Sequence, residues 1–176
     1  MTRHTPAVPR AAAVATAVLS LAAIAPAPAA AQTTGPETLL QSVENCLAWM
    51  NNGFPDRTPF AGGFEVIQPF GEGGTGIYRE EQTGFEITLT VEGDTATCES
   101  TQGTIALGED GLDNLERQLA HRINAGRAVQ IAPDRYSFCA GPAGLLTVTE
   151  AEGGGATFLM EFNTGAALAE AGSCGG

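Results

Sequence analysis

The 176-residue chain contains no lysine, and its 8 basic residues, all arginine, face 20 Asp and Glu for a formal charge of -12. That balance excludes nucleic acid as a partner, because phosphate binding needs clustered cations and releasable counterions. The same lack of cations disfavours docking on anionic lipid. A Walker-type phosphate loop falls with the missing lysine. Histidine is scarce, with His121 the one beyond the first residues, and no Cys-x-x-Cys or His-rich spacing occurs, so neither a metal nor a cofactor is expected. Long apolar runs are also missing. The longest, residues 11–25, has about 15 residues, short of the roughly 20 that cross a bilayer, so no stable membrane anchor is expected.

What is present begins with Arg3, His4 and Arg10, then that apolar run, then Pro26-Ala27-Pro28-Ala29-Ala30-Ala31. This three-part layout is that of a secretory signal peptide, residues 1–31, with Ala29 and Ala31 placing the cut before Gln32. Residues 32–176 then form a single small domain with 6 Arg against 20 acids, after Arg3 and Arg10 are removed, and all four Cys. An even number of Cys in an exported chain indicates disulfides. Arginine without lysine, amid abundant Ala and Gly, fits a GC-rich bacterial coding bias. The expected location is therefore bacterial, periplasmic or secreted.

Apolar residues Leu39, Val43, Cys46, Leu47 and Met50 recur at spacings of three and four, which predicts a helix over residues 37–52 ended by Gly53. Residues 85–92 alternate apolar with Glu or Thr, the signature of a strand buried on one face. Gly93-Asp94 turns the chain into a second strand at 95–99, with Val91 opposite Ala96 and Leu89 opposite Cys98. Weaker strands fit 64–70 and 76–81. Asp110 can cap a second helix over 111–125, with Leu112, Leu115, Leu119 and Ile123 inward and Gly126 ending it. Short strands then fit 129–131, 135–139, 145–150 and 156–162. The tail is expected to be irregular apart from a helical turn at 166–171.

Two halves, 37–107 and 108–165 with a tail at 166–176, read as a helix followed by a meander. Asn51-Asn52-Gly53 matches Asn124-Ala125-Gly126, and Ile87-Thr88-Leu89-Thr90 matches Leu146-Thr147-Val148-Thr149. The expected fold is α+β, two helices packed on one face of an antiparallel sheet of six or seven strands, as a tandem pseudo-repeat. In outline, such a tandem of helix-plus-sheet units is similar to the bacterial β-lactamase inhibitor proteins. That likeness concerns the fold and carries no site residue. Cys46 lies on the apolar side of the first helix and Cys98 on the apolar side of the strand it covers, so these two pair. Cys139 is left for Cys174, pinning the tail.

No motif for catalysis stands. Gly71-Glu72-Gly73-Gly74-Thr75-Gly76 fits G-x-G-x-x-G, but extended residues follow it where a helix is needed, and Glu72 repels phosphate; a hairpin loop is the expectation. His121 projects to the helix side bearing Arg117 and Gln118, with no nucleophile indicated by spacing. It is the one candidate general base. Paired carboxylates could serve glycoside hydrolysis or calcium, yet no calcium loop occurs, and Asp110 and Asp113 suit a helix start. The strand acids are expected to alternate outward.

Phe54, Phe60 and Phe70 lie in Gly- and Pro-rich loops, where they either close the core or form an exposed binding patch. The function expected is a non-catalytic binding module of the bacterial envelope, monomeric, using loops and an acidic sheet face to meet an unknown protein or small ligand of cationic or aromatic-seeking character. Inhibition of a secreted enzyme is one version of it. A small secreted hydrolase using His121 or paired acids is the alternative from another class.

Overall fold

A computed structural model describes residues 35–53, 60, 63–71, 73–108, 110–139 and 141–175. The expected signal peptide with its cut before Gln32, together with Phe54 and Glu72, lies outside the described residues.

Helix α1, Gly35–Asn51, buries the stripe expected of it: Leu39, Val43, Cys46, Leu47 and Met50, joined by Trp49. Ser42 is buried on this helix and donates its hydroxyl to the Thr38 carbonyl oxygen at 2.8 Å, so its burial leaves no donor unmet. Gly53 ends the helix at φ +74°, a conformation costly for residues with a Cβ. Four strands follow as a meander: β1 Phe64–Gln68, β2 Thr75–Glu80, β3 Glu86–Glu92 and β4 Thr95–Gln102. Val91 pairs with Ala96 and Leu89 with Cys98, the register set by the Gly93-Asp94 turn.

After the short strand β5, Ile105–Ala106, the pattern restarts with α2, Gly111–Asn124, which buries Leu115 and Leu119. A second meander runs through β6 Ala128–Ala132, β7 Arg135–Phe138, β8 Gly144–Ala151 and β9 Gly155–Phe162. Helix α3, Gly165–Ala171, and a 3-10 turn, Gly172–Gly175, close the chain. The strands form one antiparallel sheet in the order β1-β2-β3-β4-β9-β8-β7-β6, with β5 beside β9. The last strand of each meander therefore meets the other at the middle of the sheet. There Phe158 donates its N–H to the Ser100 hydroxyl at 2.9 Å, just beyond the last paired residues of β4 and β9. Both edge strands carry a register shift, at Val66/Gln68 in β1 and at Gln130/Ala132 in β6. Such bulges disfavour edge-to-edge pairing.

Several expectations need correction. The sheet has nine strands rather than six or seven, and three helices are described rather than two. β5 is two residues long, too short for any period to reveal. The tail forms a true helix because Thr164 caps it, accepting the Ala167 N–H at 3.2 Å, ahead of an alanine-rich segment of high helix propensity. Asp110 stands at the N-cap of α2 but makes no capping bond, its carboxylate being taken by Arg117 Nη2 at 2.5 Å. Glu80 does not point outward. It is buried and accepts bonds from the Thr83 hydroxyl and the backbone N–H groups of Gln82 and Thr83, which close the β2–β3 turn.

Both disulfides form, Cys46–Cys98 and Cys139–Cys174. They fit an oxidising compartment. Among the described residues no helix is long and apolar enough to cross a membrane.

Candidate functional site

Side chains of directly paired residues in a sheet share a face, so the register assigns every strand residue to one of two sides. The row Leu89, Cys98, Met160, Leu146, Tyr136 crosses the sheet from β3 to β7 and is wholly buried. It belongs to one core with the apolar stripes of α1 and α2. The neighbouring row, Thr75, Thr90, Thr97, Glu161, Leu145, Ser137, lies on the opposite, outer side. A second outer row runs Ile77, Thr88, Glu99, Leu159, Thr147, Arg135.

The outer side is covered at one end. Helix α3 packs on β7, β8 and β9. There the Ser137 hydroxyl donates to the Glu170 carbonyl oxygen at 3.4 Å, and Leu145 and Ala167 are buried apart from the main core. Over β2, β3 and β4 the outer threonines Thr75, Thr88, Thr90 and Thr97 stay partly exposed. The Thr88 and Thr101 hydroxyls meet at 2.9 Å, and a depression of about 160 Å³ opens between Thr90, Glu92, Thr95 and Thr97.

Charge on this uncovered part is acidic. Arg79, its one cation among the described residues of β2, β3 and β4, is held by Glu86 at 2.6 Å and by Glu65 of β1 at 4.0 Å. Among the described residues no cation pairs with Glu92, Glu99 or Glu161. Of the arginines elsewhere, Arg122 forms a two-nitrogen bond to Glu44 that ties α2 to α1, and Arg135 holds Glu170, whereas the exposed Arg127 makes no ion pair among the described residues.

The residues singled out from sequence fare unequally. Phe60 is only 1% exposed, stacked on Tyr78 at 5.4 Å and set edge-on to Phe64 at 4.9 Å. Phe70 packs against the core and meets Trp49 edge-on at 5.4 Å. Phe60 thus belongs to the core, and Phe70 is partly buried against it rather than standing out as an exposed ring. His121 is exposed, and its Nδ1 lies 3.0 Å from the Gln118 carbonyl oxygen of its own helix. No hydroxyl, thiol or carboxylate is bonded to its ring among the described residues. Among the same residues no group of three His, Cys, Asp or Glu is arranged to hold a metal.

Glycines of the G-x-G-x-x-G segment have packing roles. Gly74, at φ +67°, accepts the Val91 N–H at 2.7 Å, so close to β3 that a Cβ would sit 2.7 Å from the Val91 oxygen. A Cβ on Gly76 would lie 2.9 Å from that of Phe70. Thr75 and Gly76 open β2, so a strand follows these glycines where a helix is needed.

Burial, reinforced by the Glu116 carboxylate, pushes the Tyr136 phenol from 10.0 up to about 12, against an opposing hydrogen bond from Gln130. Below pH 10 the phenol is protonated in both folded and unfolded chains. Between about 10 and 12 only the unfolded chain releases the proton, so stability falls as pH rises through that window, by about 2 to 3 kcal/mol. Comparing alkaline unfolding of the parent with Tyr136→Phe checks this. The variant should lose that part of the pH dependence, and identical curves would dismiss it.

Sequence reasoning offered an acidic sheet face but missed the threonine rows that make up its outer side. Their signal was the recurrence of Thr-x-Thr at Thr88-Leu89-Thr90, Thr95-Ala96-Thr97 and Thr147-Val148-Thr149, one on each of β3, β4 and β8. Comparison with known protein families, with curated proteins and with solved structures finds no match to the chain.

Proposed function

We propose that the chain is an exported, disulfide-stabilised, non-catalytic binding module of a bacterial envelope, periplasmic or secreted. In this reading it acts as a monomer and meets a cationic protein partner through the outer side of β2, β3 and β4. The observation that carries it is a sheet whose inner side is buried along the row from Leu89 to Tyr136, while its outer side over β2, β3 and β4 is left uncovered among the described residues. Threonine hydroxyls there offer donors and acceptors at little entropy cost, since χ1 of a β-branched residue is already restricted. Glu92, Glu99 and Glu161 supply the negative potential that steers and orients a cationic surface. Inhibition of a secreted enzyme is one form such binding takes. The two halves, each a helix then a four-stranded meander, are in the same reading a tandem repeat. A hydrolase has less behind it, because the His121 ring meets only a helix carbonyl oxygen among the described residues.

The test places arginine where the partner's cations should sit. Immobilised oxidised protein should retain one stoichiometric partner from envelope extract at low salt and release it at high salt. Thr90→Arg with Thr97→Arg, paired neighbours on the outer row, should weaken that capture by roughly tenfold or more through like-charge repulsion, with the circular dichroism spectrum unchanged. Undiminished capture by the folded double variant, or no partner at any salt, defeats the proposal.

A further inference from the structure

The two disulfides sit in opposite settings. Cys46 and Cys98 are both 0% exposed, enclosed between α1 and the inner side of β4. Cys139, just past β7, and Cys174, in the terminal 3-10 turn, are each only partly covered. A thiolate can reach the second pair without opening the core; reaching the first requires the core to open.

The segment tied down by this partly covered pair has little else holding it. α3 is seven residues long, well under the roughly 12 to 15 at which an isolated helix becomes even marginal in water. Ala167 is its one buried residue, while Leu168 stays 58% exposed. Its polar ties are long or partly exposed: Ser137 Oγ to the Glu170 carbonyl oxygen at 3.4 Å, and Arg135 to the Glu170 carboxylate at 3.4 Å. The chain enters it through Asn163, whose φ of +52° marks a sharp bend after β9. Beneath it lies Leu145, buried on the outer side and separate from the main core.

We infer that Cys139–Cys174 is a redox latch, which a dithiol reductant opens ahead of Cys46–Cys98 to free the strap of residues 165–175 from the outer side of β7, β8 and β9. One thiolate of the reductant attacks one sulfur of the bridge, forming a mixed disulfide and expelling the other cysteine as thiolate. The reductant's second thiol then closes its own disulfide and expels the remaining cysteine. Two electrons pass from dithiol to protein, and the expelled thiolates take up the two protons. Release uncovers Leu145 and Ser137 and makes the outer rows continuous from β2 to β7. The latch stands independently of the binding proposal, since its test measures the strap and no partner.

Oxidised full-length mature protein is treated with dithiothreitol under native conditions, quenched with iodoacetamide at intervals and mapped by mass spectrometry, with hydrogen exchange followed in parallel. Cys139 and Cys174 should be alkylated roughly tenfold or more faster than Cys46 and Cys98, as expected when only the latter await core opening. Exchange protection should be lost over residues 165–175 and kept in α1, β3 and β4. The double variant Cys139→Ser with Cys174→Ser should show that same local loss without reductant. Equal reduction rates for both bridges, a strap still protected once its cysteines are free, or loss of protection throughout the chain would each overturn the latch.

Discussion

Replacing Cys46 and Cys98 together by alanine should lower the free energy of unfolding by about 4 kcal/mol. The bridge closes a loop of 52 residues, and confining a loop of that size in the unfolded ensemble corresponds to roughly that amount. Typical domains are stable by only about 5 to 15 kcal/mol. With 23 glycines, each raising the entropy lost on folding, this chain depends on such a constraint more than most. Both sulfurs are fully buried, so the variant also loses their packing between α1 and β4. Urea unfolding of the oxidised variant, with the Cys139–Cys174 bridge intact, measures the difference. A loss below about 1 kcal/mol would show that the bridge records the fold without stabilising it.

Phe60→Ala should destabilise the protein by about 3 to 5 kcal/mol, the range for removing a buried phenyl ring. The ring stacks on Tyr78, meets Phe64 edge-on and is 1% exposed, so truncation leaves a cavity under the β1–β2 hairpin. The loop position of Phe60 in the sequence supports the contrary outcome, in which Phe60→Ser leaves folding intact and removes a partner. Thermal and urea unfolding separate the two. Unchanged stability would return Phe60 to the surface and reopen an aromatic binding patch; a large loss confirms it as a plug for the core.

Regular periods were legible. β3 alternates apolar and polar residues so strictly that its buried face, its turn and the residues opposite it in β4 could be read directly. The pairing of Cys46 with Cys98 followed, because two cysteines on facing apolar surfaces have few other choices. α1 and α2 were equally plain, each with an apolar stripe and a glycine at its end.

Elements without a period were legible only in part, α3 as no more than a helical turn at 166–171. α3 is built of small residues with one leucine, and that leucine is exposed, so no stripe announces it. In β7, three consecutive residues, Tyr136, Ser137 and Phe138, are buried. Ser137 is covered only because α3 lies on the outer side, which alternation within β7 cannot reveal. Glu80 defied its charge, since the backbone donors of the next turn supply the bonds that water would otherwise provide.

By itself the sequence determined where the periodic helices and strands form, which face of each is apolar and which cysteines could meet, because these depend on residues a few positions apart. Only the tertiary structure decided that β4 lies beside β9 and that α3 covers half of the outer side. The first depends on contacts between residues about sixty positions apart and the second on contacts such as Ser137 with Glu170, 33 apart, and together they turn scattered threonines and glutamates into one continuous surface.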